Sequence, residues 1–334
     1  MKTRSAHMAV FSLFICLLAS AADGAGLNVK TVAFSGESVG RKMKYNLVLP
    51  ADYEQSEKRY PVLYLLHGLT SNYTAWARMN VPEYASRYDL IVVMPDVGNS
   101  WYVNWAQSDE GQKNNWEDFI IKDLIGHVDS TYRTIAAREG RAINGLSMGG
   151  YGGLMLGLRH PDLFCSIGSH SGALSIANRA AERLKSGQEL QRIGREPSDE
   201  INPDIGIEGF SSQVARTPKG KAFATVEDCT KYDPFLLVLQ VPRDKLPHIC
   251  VDCGTEDGLI SSAQDFMKVL MENKIPFTYA QSDGQHKGPY WAREVGHSMA
   301  VQYTIIQRAL AAAGKLPVAS SQSTSSQSTP SKSN

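Results

Sequence analysis

The sequence predicts an α/β fold: a mostly parallel central sheet with helices on both faces and an insertion capping one end. Three observations carry this. Short apolar runs recur at residues 29–34, 45–49, 62–66, 90–94, 141–144, 164–169, 248–252 and 277–280, each ended by turn residues as strands are. Helix-like stretches at 119–132, 149–159, 261–273 and 291–313 fall between or after them. Strand and helix in alternation build a parallel sheet that must be covered on both sides.

Taken in chain order, the first 25 residues have the layout of a cleaved export signal, with Lys2 and Arg4, an apolar stretch at 8–18, then small residues at 19–22. That stretch is shorter than the ~20 residues of a membrane span, so no span is expected once the signal is removed, and the mature protein is expected to be secreted or periplasmic. The main domain is expected over 26–316. The runs at 62–66 and 90–94 are apolar throughout, as strands buried on both faces are. The helix at 149–159 stops at His160-Pro161, because the residue before proline avoids the helical region. Residues 173–246 break the rhythm, being polar and without clear periodicity until 235–239, and are assigned to the capping insertion. Residues 317–334 are almost all Ser, Thr, Gln, Pro and Lys, too polar to repay ordering, and form the predicted disordered tail.

Composition narrows the partners. Lys+Arg and Asp+Glu each number 34 in 334 residues and no basic stripe appears, which excludes the usual electrostatic footprint of a nucleic-acid binder. If the signal is lost, Cys165, Cys229, Cys250 and Cys253 remain, and an exporting compartment permits disulfides among them in three full pairings. Cys250 and Cys253 have the CxxC spacing, but no second pair or matching histidines accompany them, so a zinc site is not expected. No organic cofactor is implied either. The oligomeric state is not legible.

Residues 143–153 read INGLSMGGYGG. Gly145-Leu-Ser147-Met-Gly149 matches G-x-S-x-G, the turn that lifts a nucleophilic serine above the sheet edge, and it stands between an apolar strand and a helix as that turn requires. A serine hydroxyl needs a base, and the base needs a carboxylate to hold its tautomer. Downstream, Asp257 follows the strand at 248–252 and sits where α/β sheets gather their reactive groups; Glu256 competes with it. His286 follows the strand at 277–280 in a loop, whereas His297 falls in a helical pattern, so His286 is the preferred base. An oxyanion is expected to meet the N–H groups of Met148, next to the serine, and Leu69, in the loop after 62–66. His67 in that loop reads as an anchor.

The segments YLLHGL at 64–69, SWYVNW at 100–105, NWEDFIIKDLI at 115–125, GLSMGG at 145–150, HPDLF at 160–164, CGTED at 253–257 and GQHKGPYW at 284–291 together resemble the esterase D family of α/β-hydrolases. The resemblance runs from about residue 29 to 310. It implies an α/β-hydrolase fold, a Ser147, Asp257 and His286 triad, and an ester substrate that is a small molecule or a carbohydrate ester. At one point the sequence departs from the family, which often has Gly-Gly-His-Asp-Trp where this chain has Gly-Gln285-His286-Lys-Gly.

Trp101, Tyr102 and Trp105 have two readings: a loop packed against the sheet, or an aromatic platform for a sugar ring or aryl acyl group. The function expected is a secreted serine ester hydrolase favouring short acyl chains. The alternatives are an acyltransferase of the mycolyltransferase type, with a sugar hydroxyl as acceptor, and a non-catalytic binding protein on the same fold.

Overall fold

A computed structural model describes residues 29–108, 111–187 and 220–315. The expected signal at 1–25, the expected tail at 317–334 and residues 188–219 of the expected insertion lie outside the described residues. The main sheet contains β1 (Val29–Gly36), β2 (Arg41–Val48), β3 (Val62–Leu66), β4 (Ile91–Pro95), β6 (Arg141–Gly145), β7 (Ser166–His170), β9 (His248–Gly254) and β10 (Phe277–Ser282). Their spatial order is β1-β2-β4-β3-β6-β7-β9-β10, and a separate pair joins β5 (Gln107–Ser108) to β8 (Gly220–Lys221). Only β2 runs against its neighbours; from β4 to β10 every pairing is parallel.

The side chains of β3 show why the sheet needs cover on both sides. Val62, Tyr64 and Leu66 enter one core while Leu63 and Leu65 enter the other, as the two-residue repeat of a strand dictates. The described helices are α1 (Val81–Ala85), α2 (Trp116–Asp118), α3 (Ile125–Thr131), α4 (Met148–Arg159), α5 (Ile176–Lys185), α6 (Val226–Thr230), α7 (Pro234–Gln240), α8 (Ile260–Glu272) and α9 (Gly288–Ala312). On one face α1 and α9 contribute Val81, Val295, Met299 and Ile306. On the other, α4 and α8 contribute Leu154, Met155, Phe266 and Leu270. Among the described residues no helix is long and apolar enough to cross a membrane.

All eight predicted strands are present with ends shifted by a few residues. The helix expected at 119–132 is instead α2, a π-helical segment Phe119–Leu124, and α3. Within the stretch read as an insertion, α5 was not anticipated, because its inward face is built on Ala177, Ala180 and Ala181, whose methyl groups carry little periodic signal. The four described cysteines are buried free thiols, so none of the permitted disulfides forms. Cys250 and Cys253 lie three residues apart on β9 and therefore face opposite sides. Burial pushes the Cys165 thiol up to about 11 and that of Cys250 to about 12.

Glu117 ties α2 to the end of α4. It is 3% exposed and pairs with Arg159 at 2.7 Å and with His160 at 2.7 Å, and Tyr232 Oη donates to it at 3.0 Å. Burial alone would raise this carboxyl, but hydrogen bonds and charge from His160 and Arg159 outweigh it and hold it at about 2. Its folded pKa is depressed, so its contribution is present above the unfolded value and is lost as pH falls through the folded one. Wild-type unfolding free energy is expected to drop by about 3 kcal/mol between pH 5 and 2 from this group. Glu117→Gln should lose that part of the slope, as read from urea titrations at stepped pH.

Candidate active site

β6 ends at Gly145 and α4 begins at Met148, leaving Leu146 and Ser147 to make the turn. Ser147 has φ 53° and ψ −114°, a conformation that costs an L-residue energy and persists only where the surroundings enforce it. Those surroundings are close backbones. A Cβ on Gly145 would lie 2.4 Å from the Gly149 carbonyl oxygen, and one on Gly149 would lie 2.3 Å from that of Leu66. Bonds from Ser147 N–H to the His170 carbonyl (2.9 Å) and from Ala173 N–H to the Ser147 carbonyl (3.1 Å) hold the turn against β7 and the loop after it. The hydroxyl is left partly open to solvent.

Two loops bring the other side chains to it. His286, after β10, lies with Nε2 2.9 Å from Ser147 Oγ. Its Nδ1 lies 2.9 Å and 3.1 Å from the two carboxylate oxygens of Asp257, after β9. The Asp257 carboxylate is fully buried while the imidazole is 35% exposed. Burial would raise the Asp257 pKa, but bonds from His286 and from the Leu259 N–H (2.8 Å) outweigh it, and the carboxyl titrates below the ordinary aspartate range. The Trp291 ring stands edge-on to the imidazole, centroids 4.9 Å apart.

The competing residues are occupied elsewhere. Glu256 is exposed and accepts a bond from Gln285 Nε2 at 2.9 Å. With Thr255 N–H to the Ser282 carbonyl and Glu256 N–H to the Gly284 carbonyl, both 2.9 Å, it braces the two loops together. Gln285, the departure noted in the sequence, thus has a partner. His297 lies on α9, 75% exposed and beside Glu294. His67 is buried; its Nδ1 lies 2.8 Å from the Gly68 carbonyl and its Nε2 accepts the Val97 N–H at 3.2 Å, which makes it a loop anchor in this geometry.

Met148 is the first residue of α4, so its N–H has no acceptor within the helix. Leu69 follows Gly68, whose position abuts the serine: a Cβ there would lie 3.3 Å from Ser147 Cβ. Met148 thus adjoins Ser147 in the chain, and Leu69 is one residue from a glycine packed against it.

The aromatic platform takes a different form from the one expected. Tyr102 has no exposed surface, packs against Gly152 of α4 and donates its hydroxyl to the His67 carbonyl at 2.8 Å. Trp105 is 7% exposed, with Nε1 donating to the Ser100 carbonyl. These two rings pin the loop instead of presenting a face. Trp101 alone of the three lines a cleft, of about 200 Å³, between α5 and α8. A second cleft of about 510 Å³ lies beyond the His286 loop, lined by Ser71, Arg78 and Pro289 among others.

A second Ser, His and Asp set lies beneath the turn, unmarked by any motif. His170 Nδ1 lies 2.6 Å from Asp252 and its Nε2 3.0 Å from Ser298 Oγ, with Asn144, Gln302 and Tyr290 completing the network. All are sealed in the interior, and residues so far apart in the chain share no motif.

With the geometry in view, comparisons place the chain among known proteins. A sequence model described as Esterase matches residues 36–300. An esterase of Mycobacterium tuberculosis is 36% identical over 146 residues, which is 43% of this chain and 32% of that protein; the match spans about a third of the relative's length. An acetyl esterase of Caldicellulosiruptor saccharolyticus is 26% identical over 237 residues, 71% of this chain and 80% of its own. The S-formylglutathione hydrolase structure from Staphylococcus aureus superposes with a TM-score of 0.62 at 22% identity, covering 83% of this chain and 98% of that one.

The turn's packing predicts a contrast between two glycines. Gly149→Ala should lower stability by about 1–3 kcal/mol through forced overpacking. Gly126→Ala in α3, where an added Cβ meets nothing within 4 Å, should raise it by about 0.5–1 kcal/mol. Urea denaturation of both variants checks this.

Proposed function

The chain belongs to the Esterase family, and from that premise we propose that it is a serine carboxylic-ester hydrolase with an α/β-hydrolase fold, acting on short-chain or carbohydrate-linked acyl esters. The observation that carries the reading is the continuous path from Ser147 Oγ through His286 to the buried Asp257, each link 2.9 Å and open to solvent at the serine end.

In this reading His286 Nε2 takes the Ser147 proton as Oγ attacks the ester carbonyl carbon. Asp257 keeps Nδ1 protonated and offsets the charge of the imidazolium that forms. The carbonyl oxygen gains negative charge and is met by the N–H groups of Met148 and Leu69, placed before the reaction begins. Collapse expels the alcohol, which takes its proton from His286 and leaves an acyl-serine. Water then gives a proton to His286 and attacks the acyl carbon; the acid departs and Ser147 recovers its hydrogen. Asp257, titrating below the usual range, stays ionised across the working pH.

A cleft of about 200 Å³ walled by Ala173, which bonds to the Ser147 carbonyl, supports short acyl groups, and the acetyl esterase relative supports the same class. The basic, apolar and small-residue order of residues 1–25 supports export. Ser147→Ala should abolish fluorophosphonate labelling and lower kcat by at least about 10⁴-fold, and Asp257→Asn should lower it by about 10⁴-fold with the fold intact. 4-Nitrophenyl acetate and butyrate should turn over faster than the dodecanoate. Equal rates for wild type and Ser147→Ala would overturn the reading, and an acyl-sugar product outweighing free acid when sugar is added would replace hydrolysis with transfer.

A further inference from the structure

The cleft between α5 and α8 is walled by residues that hold the proposed reaction centre. Ala173, on its wall, donates its N–H to the Ser147 carbonyl, and Leu259, on the opposite wall, donates to Asp257. Ile176 adds apolar surface. The Trp101 ring is held there by a backbone with φ 60°, an unfavourable conformation for a bulky residue. Its Nε1 is buried without an acceptor.

Arg179, one turn into α5, also lines this cleft. Elsewhere several arginines are engaged by carboxylates: Arg141 with Asp129, Arg159 with Glu117, Arg293 with Glu294. The Arg179 guanidinium has neither an ion pair nor a hydrogen bond among the described residues. Arg183 stands four residues on, on the same helix face, and adds a second guanidinium without an ion pair or hydrogen bond among the described residues. Ser175 and Ser262 place hydroxyls 2.6 Å apart in the same wall. Among the described residues the lining is therefore cationic above apolar sides and includes no carboxylate. A guanidinium keeps its charge at every working pH and offers a planar fork that fits a carboxylate.

We propose that this cleft recognises a carboxylate carried by the ester substrate, with Arg179 as the residue that sets the preference. The inference rests on the hydrolase reading above and deepens it by naming the class: esters in which one half, acyl or alcohol, ends in a carboxylate after a short apolar spacer. Methylenes or a ring would lie against Ile176 and Leu259 while the charge meets the fork.

Two matched pairs separate the halves. On the acyl side, mono-4-nitrophenyl adipate is compared with its methyl ester; on the alcohol side, 4-acetoxybenzoate is compared with its methyl ester. Each is assayed in low salt with the uncatalysed rate subtracted. In one pair the wild-type enzyme should favour the charged member in kcat/KM by about tenfold, the effect of one charge-assisted hydrogen bond in a half-open site. Arg179→Ala should remove that preference while leaving the neutral member within about twofold, and Arg179→Lys should restore part of it. No preference in either pair, or equal losses on charged and neutral esters in Arg179→Ala, would overturn the proposal. The neutral esters keep the two ideas apart: if wild type turns them over and Ser147→Ala does not, the hydrolase reading stands whatever Arg179 does.

Discussion

The carbonyl of Leu66, at the end of β3, is the point on which the site turns. It accepts the Leu146 N–H at 3.1 Å and the Trp76 indole at 3.0 Å, and Gly149 packs onto it so closely that no side chain fits. Strand, turn and helix are thereby crossed at backbone contact. A chain that rises from β6 and enters α4 in so little space has one way through, with Ser147 in a left-handed conformation and its Oγ turned outward. The glycines of α4 sacrifice helix propensity, about 1 kcal/mol each, and the dense packing around them returns it.

Beneath that crossing lies a second constellation with the same three side-chain types. Ser298, His170 and Asp252 sit at distances close to those of Ser147, His286 and Asp257, yet no solvent reaches them. The difference between the two is access and backbone: Ser298 lies buried within the regular helix α9, Ser147 on a strained turn and partly exposed. Distances within a trio of residues thus say little about chemistry until the path for a ligand is known. The inner set acts on the outer one through the backbone, since the His170 carbonyl receives the Ser147 N–H.

Much of this arrangement was legible in the residues. Strands β3 and β4 are unbroken apolar runs, a signal that survives any packing detail. Asp257 and His286 could be singled out because each follows a strand within a few residues, where sheet topology leaves side chains free to converge. Other features left no trace. α5 presents alanines, which pack well and pattern weakly. Trp101 and Tyr102 take consecutive positive φ angles, and nothing in the string SWYVNW encodes that turn or says which of the three rings faces inward. The His170 network depends on β7, β9 and α9 meeting, a long-range event with no local spacing.

The clasp between Glu256 and Gln285 bears on motion. Asp257 and His286 ride on separate loops, and independent fluctuation of those loops would smear the distance between imidazole and carboxylate. Three cross-links, two through the main chain and one between these side chains, make the loops drift as one body. Jitter in that body shifts carboxylate and imidazole together relative to Ser147, so thermal noise falls on a single gap instead of two.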